Sequence, residues 1–410
     1  MAIDLVLSPR DGLTLKDARG FSLAGGVTAG GLPWPGPATT AGAARAVVGR
    51  LQGLSETYGD DRDAWQKLVE EINVVGPVIV SRLLDGDEWS PLWPPPQDAV
   101  RLPHPRAGRH GEPDGELHWL EPRPRGTARW RVRGLWTGDT AEAGAIENLW
   151  LPLPEQRQKP LSPRLLWSHE ELVDWLRDPR RRDERQSPQP EERVDIHLTV
   201  DARTLAAKDE HLFAHSTYEP LVRLGHNEIH ELGIALRIRG VGEEFDLTQA
   251  VWRIGGEARF AKASRLSPEV LGPEERLTRR WKDTRFLRLF LVTPAQFDAG
   301  WRPDWLKPIA ADGGFRFEGT LPGLDRHVVL RAAIVDRATW MSGWDLACRQ
   351  PKKSFACVPA GAVYYVESLA EPFTADDIEG LWLSGIQRPG DAAARDGFGL
   401  VLPGAWPITA

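Results

Sequence analysis

The sequence predicts an α+β chain of two tandem ferredoxin-like domains, each βαββαβ, with a long Pro- and Arg-rich insertion in the first. Three observations lead there. Short strands with period-two alternation recur between amphipathic helices along most of the 410 residues. The texture changes over residues 85–190, where Pro, Arg and polar residues dominate. Finally, TQAVWRIGGEARFAKAS and DIEGLWLSGIQRPGDAAARDGFGLVLPGAW share one order, helix with a Trp near its end, then glycines, then a strand. Two split βαβ units, each ending this way, place the first domain at 1–270 and the second at 277–410. The boundary falls in SPEVLGPEER, Ser267 to Arg276.

The elements follow in order. AIDLVLSP places Ile3, Leu5 and Leu7 on one strand face and breaks at Pro9 and Asp11-Gly12. After the glycine run Gly25 to Gly31, Pro35 and Pro37 precede Thr39 and Thr40, read as helix caps. Ala44, Val47, Val48, Leu51 and Leu54 then recur at helical spacing. AWQKLVEEI is a second amphipathic helix leading into the β-branched strand VVGPVIVSRLL. Prolines exclude long regular elements over 85–190, so this segment is expected to have little core of its own. The exception is the helix SHEELVDWLRD, with Ser168 as its cap. Val194, Ile196, Leu198 and Val200 alternate in a strand that opens a hairpin, and NEIHELGIALRIRG is a further strand. DLTQAVWRIGG is predicted as a short helix ending at Gly255-Gly256. In the second half RFLRLFLVTPAQF, HVVLRAAIVD and AGAVYYVESL are strands, TADDIEGLWLSGI is a capped helix, and DGFGLVLPGAW closes the chain as a strand.

Composition narrows the function classes. The hydrophobic share of 41% and charged share of 27% are those of a globular protein. No run approaches the roughly 18–20 apolar residues that span a bilayer, and the start MAIDLVLSPRDG is not a targeting segment, so a cytoplasmic, membrane-free chain is expected. Cys348 and Cys357 match neither a metal knuckle nor a CxxC pair, and two free thiols are expected. A net charge of −7 excludes a protein that grips nucleic acid by bulk charge. Any such contact must be local, at clusters such as RPRGTARWRVR, RDPRRRDER and RLTRRWKDTRFLR. Trp, at 18 residues, fits large cores, interfaces and base-stacking platforms alike.

Several motifs fail as chemistry. No Lys follows Gly25 to Gly31, so this run is not a phosphate loop. HNEIHELG puts Asn227 where the zinc-protease signature needs Glu; His226, Glu228 and His230 share a strand face, but no further ligand follows at a defined offset. Neither cofactor nor metal is expected. His197, His211 and His215, with Lys208 and Tyr218 nearby, could assemble a general acid and base, as in a metal-independent endoribonuclease. Glycines between helix and strand let backbone N–H groups approach a phosphate; Gly255, Gly256, Gly397, Gly399 and Gly404 qualify.

LPWPGPATTAGAAR (32–45), IGGEARF (254–260), TPAQFDAGWRPDWL (293–306), SGWDLACRQPKKSFACVPAGAVYYVE (342–367) and the terminal GFGLVLPGAW occur together. On these stretches the chain resembles the RAMP superfamily of CRISPR effector subunits, and within it the third subunit of the type III-B Cmr complex. The resemblance implies a non-catalytic RNA-binding and assembly protein of two ferredoxin-like domains. Such a protein holds the 5′ tag of the CRISPR RNA and touches the large polymerase-like subunit. It also touches the backbone subunit that cuts target RNA, so that its own link to target RNA is indirect. Carried over, the tag would run along Gly255, Gly256 and Arg259 and along Gly397, Gly399 and Gly404. Trp344, Lys352 and Lys353 would add stacking and phosphate charge. Lys16 and Arg19 correspond to a basic turn the family shows after its first strand. The helix opened by Thr39 and Thr40 could receive one phosphate at its N-terminus. A purely architectural subunit without RNA contacts is the third reading.

Overall fold

The computed structural model describes residues 2–15, 27–29, 31–55, 61–103, 115–124, 148–152, 158–181, 184–225, 228–257, 259–311, 314–345 and 350–408. At 27–29, 207–213, 344, 345, 350 and 351 the description is of the backbone. Two large antiparallel sheets organise it. The first has at its centre β1 (Ala2–Pro9), β2 (Asn73–Leu83), β3 (Glu228–Arg239) and β4 (Phe260–Arg265), in the order β2-β3-β1-β4. The second is built around β5 (Phe286–Leu291), β6 (His327–Ile334), β7 (Val363–Ser368) and β8 (Leu400–Ala405), in the order β6-β7-β5-β8. The same plan thus occurs twice, with all of these neighbours antiparallel.

In the first sheet Ile3, Leu5 and Leu7 share a face with Ile234, Leu236, Ile238 and Val74. They bury against α1 (Pro37–Leu51), whose Ala41, Ala44, Val47 and Val48 supply the helical stripe. Small residues let this helix lie close, and at Gly49 an added Cβ would sit 2.2 Å from the Trp65 ring of α2 (Arg62–Glu71). The opposite face carries Val6, Val78, Val80 and Ala235 into a larger core shared with the second sheet.

Between the sheets lies α3 (His169–Arg177). Ser168 caps it as expected, its hydroxyl accepting from the Glu171 N–H at 3.3 Å. The 85–190 segment departs from its expected looseness. Its strands are short, Ser90–Trp93 and Trp167–Ser168 extending the first sheet, but Trp93, Trp167, Leu172, Trp175 and Leu176 are buried in the shared core. A closed polar network fastens this segment to the second sheet. The Asp98 carboxylate accepts from Arg288 Nη1 at 2.9 Å, Tyr365 Oη at 2.7 Å and Trp175 Nε1 at 2.9 Å, and Arg288 Nε donates to the Ala405 carbonyl at 2.6 Å. Every charge there is paired, as burial demands.

Two other expectations change. The predicted helix over DLTQAVWRIGG is a set of turns followed by the strand Trp252–Arg253, which pairs with β4. Thr248 and Asp246 hydrogen-bond each other locally at 2.7 Å, the habit that makes such residues prefer turns. In the hairpin Glu191–Val200 with Ala207–Glu219 the alternation is present but inverted. Val194, Ile196, Leu198 and Val200 face outward, Ile196 being 70% exposed, while Asp195, His197 and Thr199 form the more covered face. No helix among the described residues is long and apolar enough to cross a membrane.

Candidate nucleic-acid interface

Several separated stretches of the sequence meet at one junction between the sheets. Met341, Cys357 and Phe398 form a small buried cluster against which Leu32, Ala38 and Phe355 pack. Thr339–Met341 pairs with Phe355–Cys357, and α1 begins so close to this hairpin that a Cβ on Gly36 would lie 2.2 Å from Met341 Cε. Burial pushes the Cys357 thiol up to about 12, so it stays protonated and acts as an apolar side chain. Beyond the cluster the hairpin projects. Trp344–Asp345 pairs with Gln350–Pro351, the Lys352 N–H donates to the Gly343 carbonyl at 2.8 Å, and Ser342 Oγ donates to the Lys352 carbonyl at 2.7 Å. Lys352 and Lys353 are therefore exposed cations on a backbone held in place. The Trp344 side chain lies outside the description.

Thr39 and Thr40 stand inside the first turn of α1. Gly36 is its N-cap and Pro37 its first residue, which corrects their reading as caps. Thr40 is buried, its hydroxyl donating to the Pro37 carbonyl at 3.0 Å, and the Thr39 N–H donates to Gly36 at 3.0 Å. The turn with Gly255 and Gly256 lies on the surface. Gly255 has φ +77, the Gly256 N–H donates to the Thr14 carbonyl at 2.8 Å, and Arg259 Nη2 reaches Glu257 Oε2 at 3.0 Å. This turn joins the junction through Leu15, whose Cδ2 is 3.2 Å from a Cβ built on Gly255 and whose carbonyl accepts from the Leu32 N–H at 2.8 Å.

The three C-terminal glycines are buried and have packing tasks. Gly397 at φ +92 faces the Gly76 and Val74 carbonyls of β2, where a Cβ would come within 2.3 Å of the former. Gly399 at φ +69 donates to the Pro294 carbonyl at 2.9 Å, and Gly404 lies against Leu176 and Arg288. Lys16 and Arg19 lie outside the described residues, as does His226 of HNEIHELG. Two of the basic runs converge: Arg177 joins Arg276, Arg279 and Arg280, with Glu275, around a hollow of about 250 Å³. Their separation in sequence, across the hairpin 191–219 and strands β3 and β4, hid that.

Of the three histidines with acid–base potential, His197 and His215 come together. Their rings stack with centroids 4.5 Å apart and planes at 17°, and His215 is buried. His215 is covered from solvent, whereas His197 is half-buried. The backbone of His211 is in the strand Ala207–Glu219, with its side chain outside the description.

Comparison with known proteins now supplies the class. Residues 5–406 match the family described as CRISPR-associated protein (Cas_Cmr3), so the class is that of CRISPR-associated proteins. The chain belongs to the Cas_Cmr3 family, the group to which its resemblance pointed. No curated protein matches its sequence. Among solved structures it is similar to a chain of the Type III-B Cmr-beta complex bound to cognate target RNA and AMPPnP, state 1, at 13% identity. The alignment covers 88% of this chain and 86% of that one, with a TM-score of 0.40. A chain of the Type III-B Cmr-beta complex bound to cognate target RNA gives the same values.

Proposed function

We propose that the protein is a non-catalytic RNA-binding and assembly subunit of a type III-B CRISPR effector complex. In this reading it holds the 5′ tag of the CRISPR RNA and bridges the large polymerase-like subunit to the backbone subunits. The observation that carries it is the Lys352-Lys353 hairpin: two exposed cations anchored by a buried cluster to the start of α1 and to the terminal glycine segment. Such a local basic feature is what a chain of net charge −7 needs to hold a polyanion. The surface turn Gly255-Gly256-Arg259 extends the track, with Trp344, Lys16 and Arg19 as further contacts. Gly397, Gly399 and Gly404 serve it by letting the C-terminal segment close on β2, on Pro294 and Gln387, and on α3.

The proposed architecture is two ferredoxin-like units at 1–270 and 277–410. Its support is the repeated order β2-β3-β1-β4 and β6-β7-β5-β8, with α1 and α2 between the first two strands of one unit and α4 (Ala375–Leu381) before the last strand of the other. A cytoplasmic setting accompanies this reading. An assembly subunit must bury surface on its neighbours, and the row Val194, Ile196, Leu198 and Val200 is apolar surface of that kind.

The test is the affinity of the assembled complex for tag RNA with Lys352→Ala and Lys353→Ala combined. The expected loss is roughly 1–3 kcal/mol with a shallower salt dependence. Unchanged affinity and salt slope would replace RNA binding by the architectural reading.

A further inference from the structure

We propose that His197, His215 and Glu257 form a binding site for a divalent transition-metal ion of the zinc type, clamping the hairpin 191–219 to the turn at 254–259. The two histidines lie on adjacent antiparallel strands. His215 is opposite Asp195 and His197 opposite Phe213, so the imidazoles are diagonal neighbours on one face. Glu257 arrives from the Gly255-Gly256 turn packed beside them. One donor atom from each of the three lies within 4.8 Å of the others, and His215 Nε2 is 3.9 Å from Glu257 Oε1. With metal–nitrogen and metal–oxygen bonds of about 2.0–2.2 Å, two tetrahedral donors stand roughly 3.3–3.6 Å apart, so a small side-chain rotation closes the set.

Three independent features point the same way. The His215 side chain is only 4% exposed, yet its Nε2 has no hydrogen-bond partner, a rare condition for a buried polar atom. Glu257 has φ +57, a left-handed conformation that a non-glycine residue adopts at a cost and that concentrates at functional sites. It follows two glycines, so the strain buys nothing that a third glycine would not supply, except a carboxylate facing His215. Arg259 engages Oε2 of that carboxylate at 3.0 Å, which leaves Oε1 toward the imidazole.

Asp195 brings a second carboxylate close to His215. Its Oδ2 is 4.0 Å from His215 Nε2 and accepts from Thr217 Oγ1 at 2.9 Å, while Oδ1 accepts from Arg193 Nε at 2.8 Å. Two imidazoles and one carboxylate form a borderline donor set that favours zinc over calcium or magnesium, with water in the fourth position.

The experiment is a zinc titration of the full chain after chelator treatment, by calorimetry and by metal analysis of the desalted protein, for the wild type, His197→Gln, His215→Gln and Glu257→Gly. The expected result is one equivalent retained by the wild type and binding at least about tenfold weaker in each variant. Glu257→Gly relieves the left-handed strain, so its metal-free melting temperature should equal or exceed that of the wild type and exclude misfolding as the cause. Failure of the wild type to retain zinc, or an affinity that the variants share, overturns the site.

Discussion

Replacing Asp98 by Asn tests whether the 85–190 segment is bolted to the second sheet or merely lies on it. Asp98 and Arg288 have side chains 0% and 1% exposed and are joined at 2.9 Å. Asn keeps the shape but removes the charge, leaving a buried guanidinium whose remaining partners are the carbonyls of Trp175, Leu176 and Ala405. Breaking one partner of such a pair costs about 3–5 kcal/mol. Tyr365→Phe is the graded control. Burial and the nearby Asp98 charge push its hydroxyl well up, so it stays a donor, and its loss leaves Asp98 two of three donors at about 1–1.5 kcal/mol. The double variant Asp98→Leu with Arg288→Met should lose less than Asp98→Asn alone, because no charge remains unpaired. Urea unfolding at pH 7, followed by fluorescence of the buried Trp93, Trp175 and Trp406, reads all three. A cost below about 1 kcal/mol for Asp98→Asn would refute the argument.

Gly397→Ala should destabilise by about 2–4 kcal/mol, since it combines a φ of +92 with a methyl 2.3 Å from the Gly76 carbonyl; Gly385→Ala, with open space around it, should change unfolding by about 0.5 kcal/mol or less, and equal effects would show that the contact with β2 does not matter. Burial pushes the Glu171 carboxyl up to about 7 despite the Arg164 ion pair. A folded value above the unfolded one means that the native state holds the proton more tightly. The resulting stability is complete below about pH 4.5 and lost as pH rises through 7. Unfolding free energy relative to Glu171→Gln should therefore fall across that window by at most about 3 kcal/mol, and a flat difference would contradict the burial argument.

What the sequence made legible was local. The alternation of Ile3, Leu5 and Leu7, the Ser168 cap and the capped start of the TADDIEGLWLSGI helix each depend on residues a few positions apart, and each stands where expected, the last as a capping box of Thr374 with Asp377. DLTQAVWRIGG failed because its Asp and Thr found turn partners of their own. At 194–200 the period was right, but period alone cannot say which face meets the protein, and here the polar face carrying His197 does. Pairs such as Asp98 with Arg288, 190 positions apart, carry no local signal. The same separation hid the His197, His215 and Glu257 trio, although both histidines had drawn notice. For the candidate interface, Lys352 and Lys353 stand out as charges in a characteristic stretch, whereas the burial of Gly397 against β2, of Gly399 against Pro294 and Gln387 and of Gly404 against Leu176 and Arg288 rests on distant partners that spacing could not reveal.

The central claim is that this chain holds a CRISPR RNA within an effector complex. Its most direct test is to recover the affinity-tagged chain from its host and sequence the RNA that comes with it. The account predicts short RNAs sharing one repeat-derived 5′ end, together with a large polymerase-like protein, and depletion of both in the Lys352→Ala, Lys353→Ala variant. Recovery of the protein partners without RNA, or with RNAs of unrelated 5′ ends, would contradict it.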